Sequence, residues 1–328
     1  MELAGPSKSS DELVVGVVQM APVWLNREKT LDKVLGYVAQ AADEKCRLAV
    51  FSEAVIPGYP FWIERTDGAR FNSPVQKKIH AHYMKNAVQL EAGHLAPLCS
   101  LAAQRKISVY VGCIERAPDR GGHSLYCTLV YVDQAGVIAS VHRKLMPTYE
   151  ERLCWSPGDG HGLRVHPLGP FTVGGLNCWE NWMPLVRAAL YGLGEDLHVA
   201  AWPGEMELTQ DITRFIARES RSYVVSAAGV MRPTDIPEET PYRAEIVANS
   251  QPIMANGGSC IAGPDGTWIV APVVDEERLL VAALDHEVVR QERQNFDPAG
   301  HYGRPDVTQL TVNRSRQSTL RLLDEGMA

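Results

Sequence analysis

The chain has 328 residues, of which 45% are hydrophobic and 22% charged, and this composition is typical of a globular protein and excludes a disordered or fibrous one. A formal net charge of −7, without any dense cluster of lysine and arginine, argues against a nucleic-acid partner. No apolar stretch approaches the roughly eighteen residues of a membrane span, and the polar segment 1–12 lacks a signal peptide's apolar core, so we expect a cytoplasmic protein without a membrane partner.

Strand and helix patterns alternate in the first half of the chain. Strands are predicted over residues 14–20, 48–51, 107–115, 124–133 and 136–144, and helices over 27–43, 74–90 and 94–106. Turn residues at 133–136 join the last two strands as a hairpin. This half therefore combines a β-α-β unit with antiparallel strands.

The second half repeats the alternation more loosely. Strands are predicted over residues 171–177, 197–202, 223–230, 259–262, 268–273 and 279–284, the last three as a closing meander, and helices over 183–193 and 208–222. The pattern indicates an α/β fold with mixed parallel and antiparallel sheets. No linker or internal repeat divides the chain, so we expect a single domain over residues 1–328, with a core at about 13–285 and an irregular tail at 291–328 that takes part in packing or assembly.

One of the seven cysteines occupies a distinctive position. The seven form no C-x-x-C pair, and most cysteines in such a chain are buried, inert side chains. Cys178 ends the strand predicted over 171–177 and precedes a helix near whose start Pro184 lies. A thiol at such a turn points out of the sheet, and the free N–H groups of a helix that begins nearby favour the thiolate. The position is that of a nucleophile.

A carboxylate and an ammonium follow two other predicted strands. Glu53 comes after the strand 48–51, and Lys144 ends the strand 136–144 before Pro147. Each alone is ordinarily a solvated ion at the rim of a sheet. If the three strands are neighbours, however, the groups converge on one cleft, with Glu53 as base, Lys144 as the cation for a developing anion and Cys178 as nucleophile.

Four segments carry a resemblance to a known family. They are FSEAVIPGYP (51–60), HRKLMPTYEERLCWSPGDG (142–160), NCWENWMPLVR (177–187) and GHYGRPDVTQLTVN (300–313). In this order they resemble the signature segments of the nitrilase branch of the carbon–nitrogen hydrolase family. The resemblance implies a catalytic triad of Glu53, Lys144 and Cys178, with a further catalytic glutamate at Glu151, and no metal or organic cofactor.

The resemblance also implies a fold, an assembly and a reaction. The implied fold is a four-layer αββα sandwich that forms homodimers through the helices flanking the sheets. The chain stops soon after segment 300–313, which favours a dimer over an extended spiral. The implied reaction converts a nitrile to the carboxylic acid and ammonia, while the sequence Cys178-Trp179-Glu180 is more similar to nitrilases than to amidases. Ser52 departs from the proline usual in the family, and we expect it to loosen the turn that presents Glu53.

The same resemblance implies roles around the nucleophile. Glu151 is expected to position Lys144 or the substrate, and the N–H group of Trp179 to help stabilise the anionic intermediate. The implied pocket wall contains four residues: Tyr59, Trp179, Trp202 and Pro203. For Tyr59 and Trp202, plain core packing is the alternative. The loop 158–162, rich in glycine, is predicted to be flexible.

Several alternatives stay open at this level. An amidase, a carbamoylase or a cyanide-degrading hydratase of the same family shares the triad, and a non-catalytic member used for binding or assembly shares the fold. The sequence does not select among aliphatic, aromatic and arylacetonitrile substrates, and it does not set the acid-to-amide ratio or the enantiomer preference.

Overall fold

The structure, a computed structural model, describes residues 11–320. Most of the polar N-terminal segment and the end of the predicted tail, residues 321–328, lie outside the described residues. The single domain over residues 1–328 therefore stays a prediction. Among the helices of residues 11–320, none combines the length and the apolar character that a membrane span requires.

Two mixed sheets and eight α-helices make up the described part of the chain. The strands are β1 (Glu12–Gln19), β2 (Leu48–Phe51), β3 (Ser108–Arg116), β4 (Leu125–Val132), β5 (Ile138–Arg143), β6 (His166–Leu168), β7 (Phe171–Asn177), β8 (Leu197–Trp202), β9 (Tyr223–Ala228), β10 (Val230–Met231), β11 (Ala255–Ala262), β12 (Trp268–Val274) and β13 (Arg278–Asp285). The helices are α1 (Arg27–Asp43), α2 (Trp62–Arg65), α3 (Pro74–Asn86), α4 (Ala96–Arg105), α5 (Pro184–Gly192), α6 (Met206–Ser220), α7 (Arg243–Ala248) and α8 (His286–Arg293). The short elements α2, α7, β6 and β10, together with α8, were not predicted by the sequence patterns.

The two sheets share one plan. In the first, ordered β13-β1-β2-β3-β4-β5, the strands β1, β2 and β3 are parallel, and β13, β4 and β5 pair antiparallel around them. In the second, ordered β10-β11-β9-β8-β7-β6, the parallel strands are β7, β8 and β9, and β12 pairs with β11. The strands β2 and β5 consequently run in the same direction and end at the same edge of the first sheet.

A core between the sheets and helices on their outer faces produce four layers. Alternate residues of both sheets, among them Val15, Val50, Val173 and Val225, are fully buried against each other. On the outside of the first sheet lie α1 and α4, and on the outside of the second lie α5 and α6. Helix α6 illustrates why a helix packs on a sheet in this way: its buried residues recur at helical spacing along one face, and that face contacts the sheet. The predicted αββα sandwich is confirmed.

The predicted closing meander is wrong in its last strand. β11 and β12 form the expected antiparallel pair, but β13 crosses to the other sheet and pairs with β1, with Val15 opposite Ala282. Almost every residue of β1 is buried, so an uncovered β1 edge would leave an apolar strand with unpaired backbone groups exposed to water. Pairing with β13 covers that edge.

Gly112 of β3 controls how the chain leaves β2. After β2 the segment 52–56 crosses the middle of β3, where the N–H of Ile56 donates to the carbonyl of Gly112. A Cβ atom at position 112 would lie 2.3 Å from the carbonyl oxygen of Ser52 and 2.8 Å from the Cα of Glu53. Only a glycine permits this approach, so Gly112 carries Glu53 across β3 toward β4 and β5.

We expect Gly112→Ala to lower the free energy of unfolding by about 1–3 kcal/mol, because the added methyl group overpacks the crossing of segment 52–56 and β3. Urea denaturation followed by tryptophan fluorescence measures the change. The matched control is Gly36→Ala, since nothing lies within 4 Å of its added Cβ and it is in helix α1. That control should stabilise the protein slightly. Equal stabilities for the two variants would contradict the role of Gly112.

Candidate active site

Three reactive side chains from different parts of the chain meet at one edge of the two sheets. Glu53 follows β2, Lys144 follows β5 and Cys178 follows β7. The Nζ of Lys144 lies 2.7 Å from Oε1 of Glu53, and carboxylate oxygens of Glu53 and Glu151 and the Sγ of Cys178 lie within 4.8 Å of one another. The structure thus brings together the four residues named from the sequence.

The strands that carry these groups are not neighbours, contrary to the premise of the sequence argument. β3 and β4 lie between β2 and β5, and β7 belongs to the other sheet. The groups converge because segment 52–56 crosses β3, the Lys144 side chain extends from the end of β5, and the two sheets face each other. A hydrogen bond of 3.2 Å from the N–H of Glu53 to the carbonyl of Trp202 joins the two sheets at this point.

The ammonium of Lys144 lies between two carboxylates. It donates to Oε1 of Glu53 at 2.7 Å and to Oε2 of Glu151 at 2.7 Å, and the side chain is only 1% exposed. Burial disfavours its charge, but the acidic groups around it outweigh burial and raise the pKa of Lys144 well above its ordinary value. Lys144 therefore remains a cation.

The two oxygens of Glu53 have different surroundings. Oε1 accepts from Lys144 and from the thiol of Cys127, whose Sγ lies 3.1 Å away. Oε2 is buried and has no hydrogen-bond partner among the described residues. A buried acceptor without a donor is uncommon and unfavourable. Oε2 is consequently the oxygen that is free to accept a proton.

Glu151 is held by donors from three directions. Besides Lys144, it accepts from the N–H of Thr148 at 2.6 Å, and it lies 3.0 Å from the hydroxyl of Tyr59, which shares its proton between Glu151 and Oε1 of Glu150 at 2.7 Å. Burial, together with the charge of Glu53, raises the pKa of Glu151 from 4.5 to about 7, although Lys144 opposes the shift. Burial and the neighbouring carboxylates also raise the pKa of Tyr59, so its phenol keeps its proton and donates it.

Cys178 lies in a strained turn. Its φ angle is 47°, in the left-handed region, and a 3₁₀ turn over Cys178–Trp182 precedes helix α5. The Nδ2 of Asn181 donates to the carbonyl of Cys178 at 2.8 Å, and the ring of His198 contacts Oδ1 of Asn181 at 2.8 Å, which pins the turn from behind. Burial raises the pKa of Cys178 well above its ordinary value. The resting group is a thiol, and the thiolate expected from a helix N-terminus is not what this turn favours.

The four pocket residues named from the sequence occupy different places. Tyr59 and Pro203 line a cavity of about 20 Å³ together with Glu53. Trp202 is 2% exposed, donates its indole N–H to Ser226 and packs in the same apolar cluster as Cys178. Trp179 is 41% exposed and pairs with Trp182. Among the four, Trp179 presents the most open surface beside the nucleophile.

Sequence reasoning missed the contact of Cys127 with Glu53 and misjudged one loop. Alternation along β4 puts Cys127 on the same face as Leu129, which lies in the core between the sheets, and this was the available signal. The loop 158–162 was expected to be flexible, but the N–H of Gly158 donates to the carbonyl of Lys144 and Asp159 accepts from Arg316 of the tail. The turn at Ser52, expected to be loose, is held by the backbone bonds of Glu53 and Ile56.

The same cluster contains atoms of the kind that bind metals. The carboxylates of Glu53 and Glu151 and the thiol of Cys178 form a three-ligand set by distance. Between the two carboxylates lies the ammonium of Lys144, which donates to both. In this arrangement Lys144 supplies the positive charge that balances the carboxylates.

A family model and the similar proteins compared with this chain all indicate the same family. A family model described as carbon-nitrogen hydrolase matches residues 14–294. The chain is 35% identical over 308 residues to a protein named nitrilase 2 from an unknown prokaryotic organism, covering 93% of this chain and 94% of that protein. It is 35% identical to an aliphatic nitrilase of Sinorhizobium fredii, covering 93% and 96%, and 32% identical to an arylacetonitrilase of Aspergillus niger, covering 98% and 94%.

Solved structures share the fold at lower identity. A carbon-nitrogen hydrolase from Helicobacter pylori superposes with a TM-score of 0.66 at 20% identity, covering 90% of this chain and 96% of that one. An amidase from a Nesterenkonia species gives a TM-score of 0.63 at 18% identity, covering 89% and 97%. This chain therefore has the same architecture as these two proteins.

The raised pKa of Glu151 predicts a pH-dependent stability. Below pH 4.5 both folded and unfolded states hold the Glu151 proton, and as the pH rises the unfolded state releases it first. The free energy of unfolding of the wild type should therefore fall by up to about 3 kcal/mol between pH 4.5 and about 7, beyond any change that the Glu151→Gln variant shows over the same range. Urea denaturation of both proteins at a series of pH values measures the difference. Glu91→Gln, which changes an exposed carboxylate outside this cluster, is the control and should keep the wild-type slope. Parallel curves for wild type and Glu151→Gln would contradict the assignment.

Proposed function

The chain belongs to the carbon–nitrogen hydrolase family, in its nitrilase branch, and we propose that it hydrolyses an organic nitrile to the carboxylic acid and ammonia through a covalent intermediate on Cys178. One observation carries the proposal: a buried thiol lies within 4.8 Å of two carboxylates that share a lysine ammonium. The relatives named aliphatic nitrilase and arylacetonitrilase support a nitrile substrate and leave its side chain open.

The first step is addition of Cys178 to the nitrile. Because burial keeps the sulfur protonated, the thiol must lose its proton as it attacks, and Oε2 of Glu53 is the acceptor without another partner. The new bond joins Sγ to the nitrile carbon, and the proton passes through Glu53 to the nitrogen. The product is a thioimidate, so one difficult hydration is divided into easier steps.

Two water molecules complete the reaction. Glu53 takes a proton from the first as its oxygen adds to the thioimidate carbon, and the tetrahedral intermediate expels ammonia to leave a thioester. The second water molecule displaces Sγ and releases the acid. Expulsion of the thiol at the first tetrahedral stage would instead give the amide.

Lys144 and Glu151 have different electrostatic roles in this mechanism. Lys144, a cation next to the carboxylates, stabilises the charge that develops on the tetrahedral intermediates, together with the N–H group of Trp179. Glu151 holds the ammonium in place, and Tyr59 holds Glu151. In this role Glu151 positions Lys144.

Cys178→Ala should abolish release of acid and ammonia from nitriles, because Cys178 is the thiol at the strained turn after β7, whereas the other described thiol beside the carboxylates, that of Cys127, is buried in β4 and donates to Oε1 of Glu53. The assay measures ammonia, acid and amide from aliphatic, aromatic and arylacetonitrile substrates and from the matching amides. Cys46→Ala, which changes a buried thiol packed against α1, should retain activity. Undiminished acid production by Cys178→Ala would end the proposal.

The products also separate the related activities. Turnover of amides alone would move the chain to the amidases or carbamoylases, and formamide from cyanide would indicate a cyanide-degrading hydratase. If no substrate is turned over and Cys178 is alkylated no faster than the other thiols, a non-catalytic role would be favoured. The cytoplasmic location stays a prediction.

We propose further that the active form is a homodimer joined through α5 and α6. The outer face of these helices carries exposed apolar side chains, among them Leu185 at 69% and Phe215 at 53% exposure. A groove of about 480 Å³ on this face is lined by Trp182, Pro184, Arg187, Asp211, Ile212 and Phe215. Large exposed apolar patches are typical of interfaces, and a second copy presents the same self-complementary surface.

We expect Leu185→Lys to shift the protein from dimer to monomer, because it would bury a charge in the interface without a partner. Sedimentation velocity at several protein concentrations measures the change. Val137→Lys is the control, since Val137 is 56% exposed in the β4–β5 hairpin, far from this face, and it should leave the dimer intact. A wild-type monomer, or an unaffected Leu185→Lys dimer, would contradict this interface.

A further inference from the structure

Glu180 is a buried carboxylate that the reaction steps above do not use. It is 1% exposed and follows Cys178 by two positions. Its Oε1 accepts from the N–H of Leu145 at 2.6 Å, and its Oε2 accepts from the N–H of Asn177 at 2.9 Å and from the ring of His142 at 2.9 Å. No lysine or arginine among the described residues forms an ion pair with it.

The three donors come from both sides of the active site. Asn177 directly precedes the nucleophile Cys178 and ends β7 of the second sheet. His142 and Leu145 flank Lys144 at the end of β5, in the first sheet. One carboxylate therefore ties the backbone that carries the nucleophile to the backbone that carries the cation, within one residue of each.

The electrostatics make this tie strong. Burial disfavours the charge of Glu180, but the electrostatic attraction of His142 and the hydrogen bonds from His142, Leu145 and Asn177 outweigh burial and lower the pKa of Glu180 below its ordinary value. Hydrogen bonds to an ionised acceptor are shorter and stronger than neutral ones. The tie also holds the start of a turn in which Cys178 is strained at φ 47°, where the backbone would otherwise relax.

We propose that Glu180 is a positioning residue that fixes the separation of the Cys178 sulfur and the Lys144 ammonium, so that the cation meets the charge that develops after attack. This inference rests on the proposed function. It assigns Glu180 no contact with the substrate; it acts through the two chain segments that it joins.

Two substitutions break the tie in different ways. Glu180→Gln keeps the length of the side chain, but its amide NH₂ cannot accept, so at least one of the three donors loses its partner. Glu180→Asp keeps the charge but is shorter by one methylene, so it cannot reach both Leu145 and Asn177 without moving one segment. Both variants should therefore change the geometry of the site while the rest of the core stays packed.

The control is Asp196→Asn, because Asp196 has the same chemistry at the opposite end of the sheet. Its carboxylate is also buried, and it accepts from the N–H of Thr172 at 2.7 Å and from the ring of His286 at 2.8 Å. Thr172 lies near the start of β7, whereas Asn177 ends it. A loss caused only by a missing buried carboxylate–histidine pair would appear equally in both variants.

The test measures kcat and KM for the best nitrile, and the rate of Cys178 alkylation by iodoacetamide as a function of pH. We expect both Glu180 variants to lose about 100-fold in kcat with little change in KM, as misplacement by about 1 Å produces, while Asp196→Asn stays near wild type. The pH profile of alkylation should shift in the Glu180 variants only. Equal kcat losses in Asp196→Asn, or wild-type kcat in Glu180→Gln, would overturn the proposal.

Two further measurements keep the outcomes separate. If the wild type turns over no nitrile, the proposed function fails, but the alkylation profiles still decide whether Glu180 positions Cys178. If neither Glu180 variant folds by circular dichroism, His142→Leu removes only the side-chain donor and is measured in the same way. An unchanged kcat and an unchanged alkylation profile in that variant would reject the positioning role.

Discussion

The buried ammonium of Lys144 between Glu53 and Glu151 is the constraint on which the rest of the site depends. Removing a charge from water costs several kcal/mol, and a buried pair that loses one partner is destabilised by about 3–5 kcal/mol. The fold meets this cost with further donors, because Tyr59 and Thr148 complete the hydrogen bonds of Glu151. The chemistry and the stability of this region consequently cannot be varied independently.

Local patterns in the sequence were sufficient for most of the longer elements and for three of the four reactive residues, whereas Glu151 was named only through the family resemblance. Helical spacing and apolar runs located α1, β2, β7 and β8, and the positions at strand ends singled out Glu53, Lys144 and Cys178 before any resemblance was considered. Such features depend on residues close together in the chain, which is why periodicity reports them.

Long-range arrangements were beyond the same reasoning. The crossing of β13 to the first sheet, the passage of segment 52–56 over Gly112 and the contact of Cys127 with Glu53 each depend on which elements become neighbours in space. The protonation state of Cys178 also depends on its surroundings in space. Its position before a helix predicted a thiolate, but burial raises the pKa of Cys178 and favours the thiol. Residue types predicted the chemistry, and packing determined protonation.

The division of the site between two sheets has a consequence for how activity reports on the folded state. Glu53 and Lys144 extend from one sheet and Cys178 from the other. The side chains of the core between the sheets, among them Val15, Val50, Val173 and Val225, therefore set the distance between the reacting groups. A molten-globule state keeps its secondary structure while this interior packing loosens. Such a state retains its far-ultraviolet dichroism and has no active site. Turnover is therefore a more sensitive gauge of interior order in this molecule than the signal of its helices and strands.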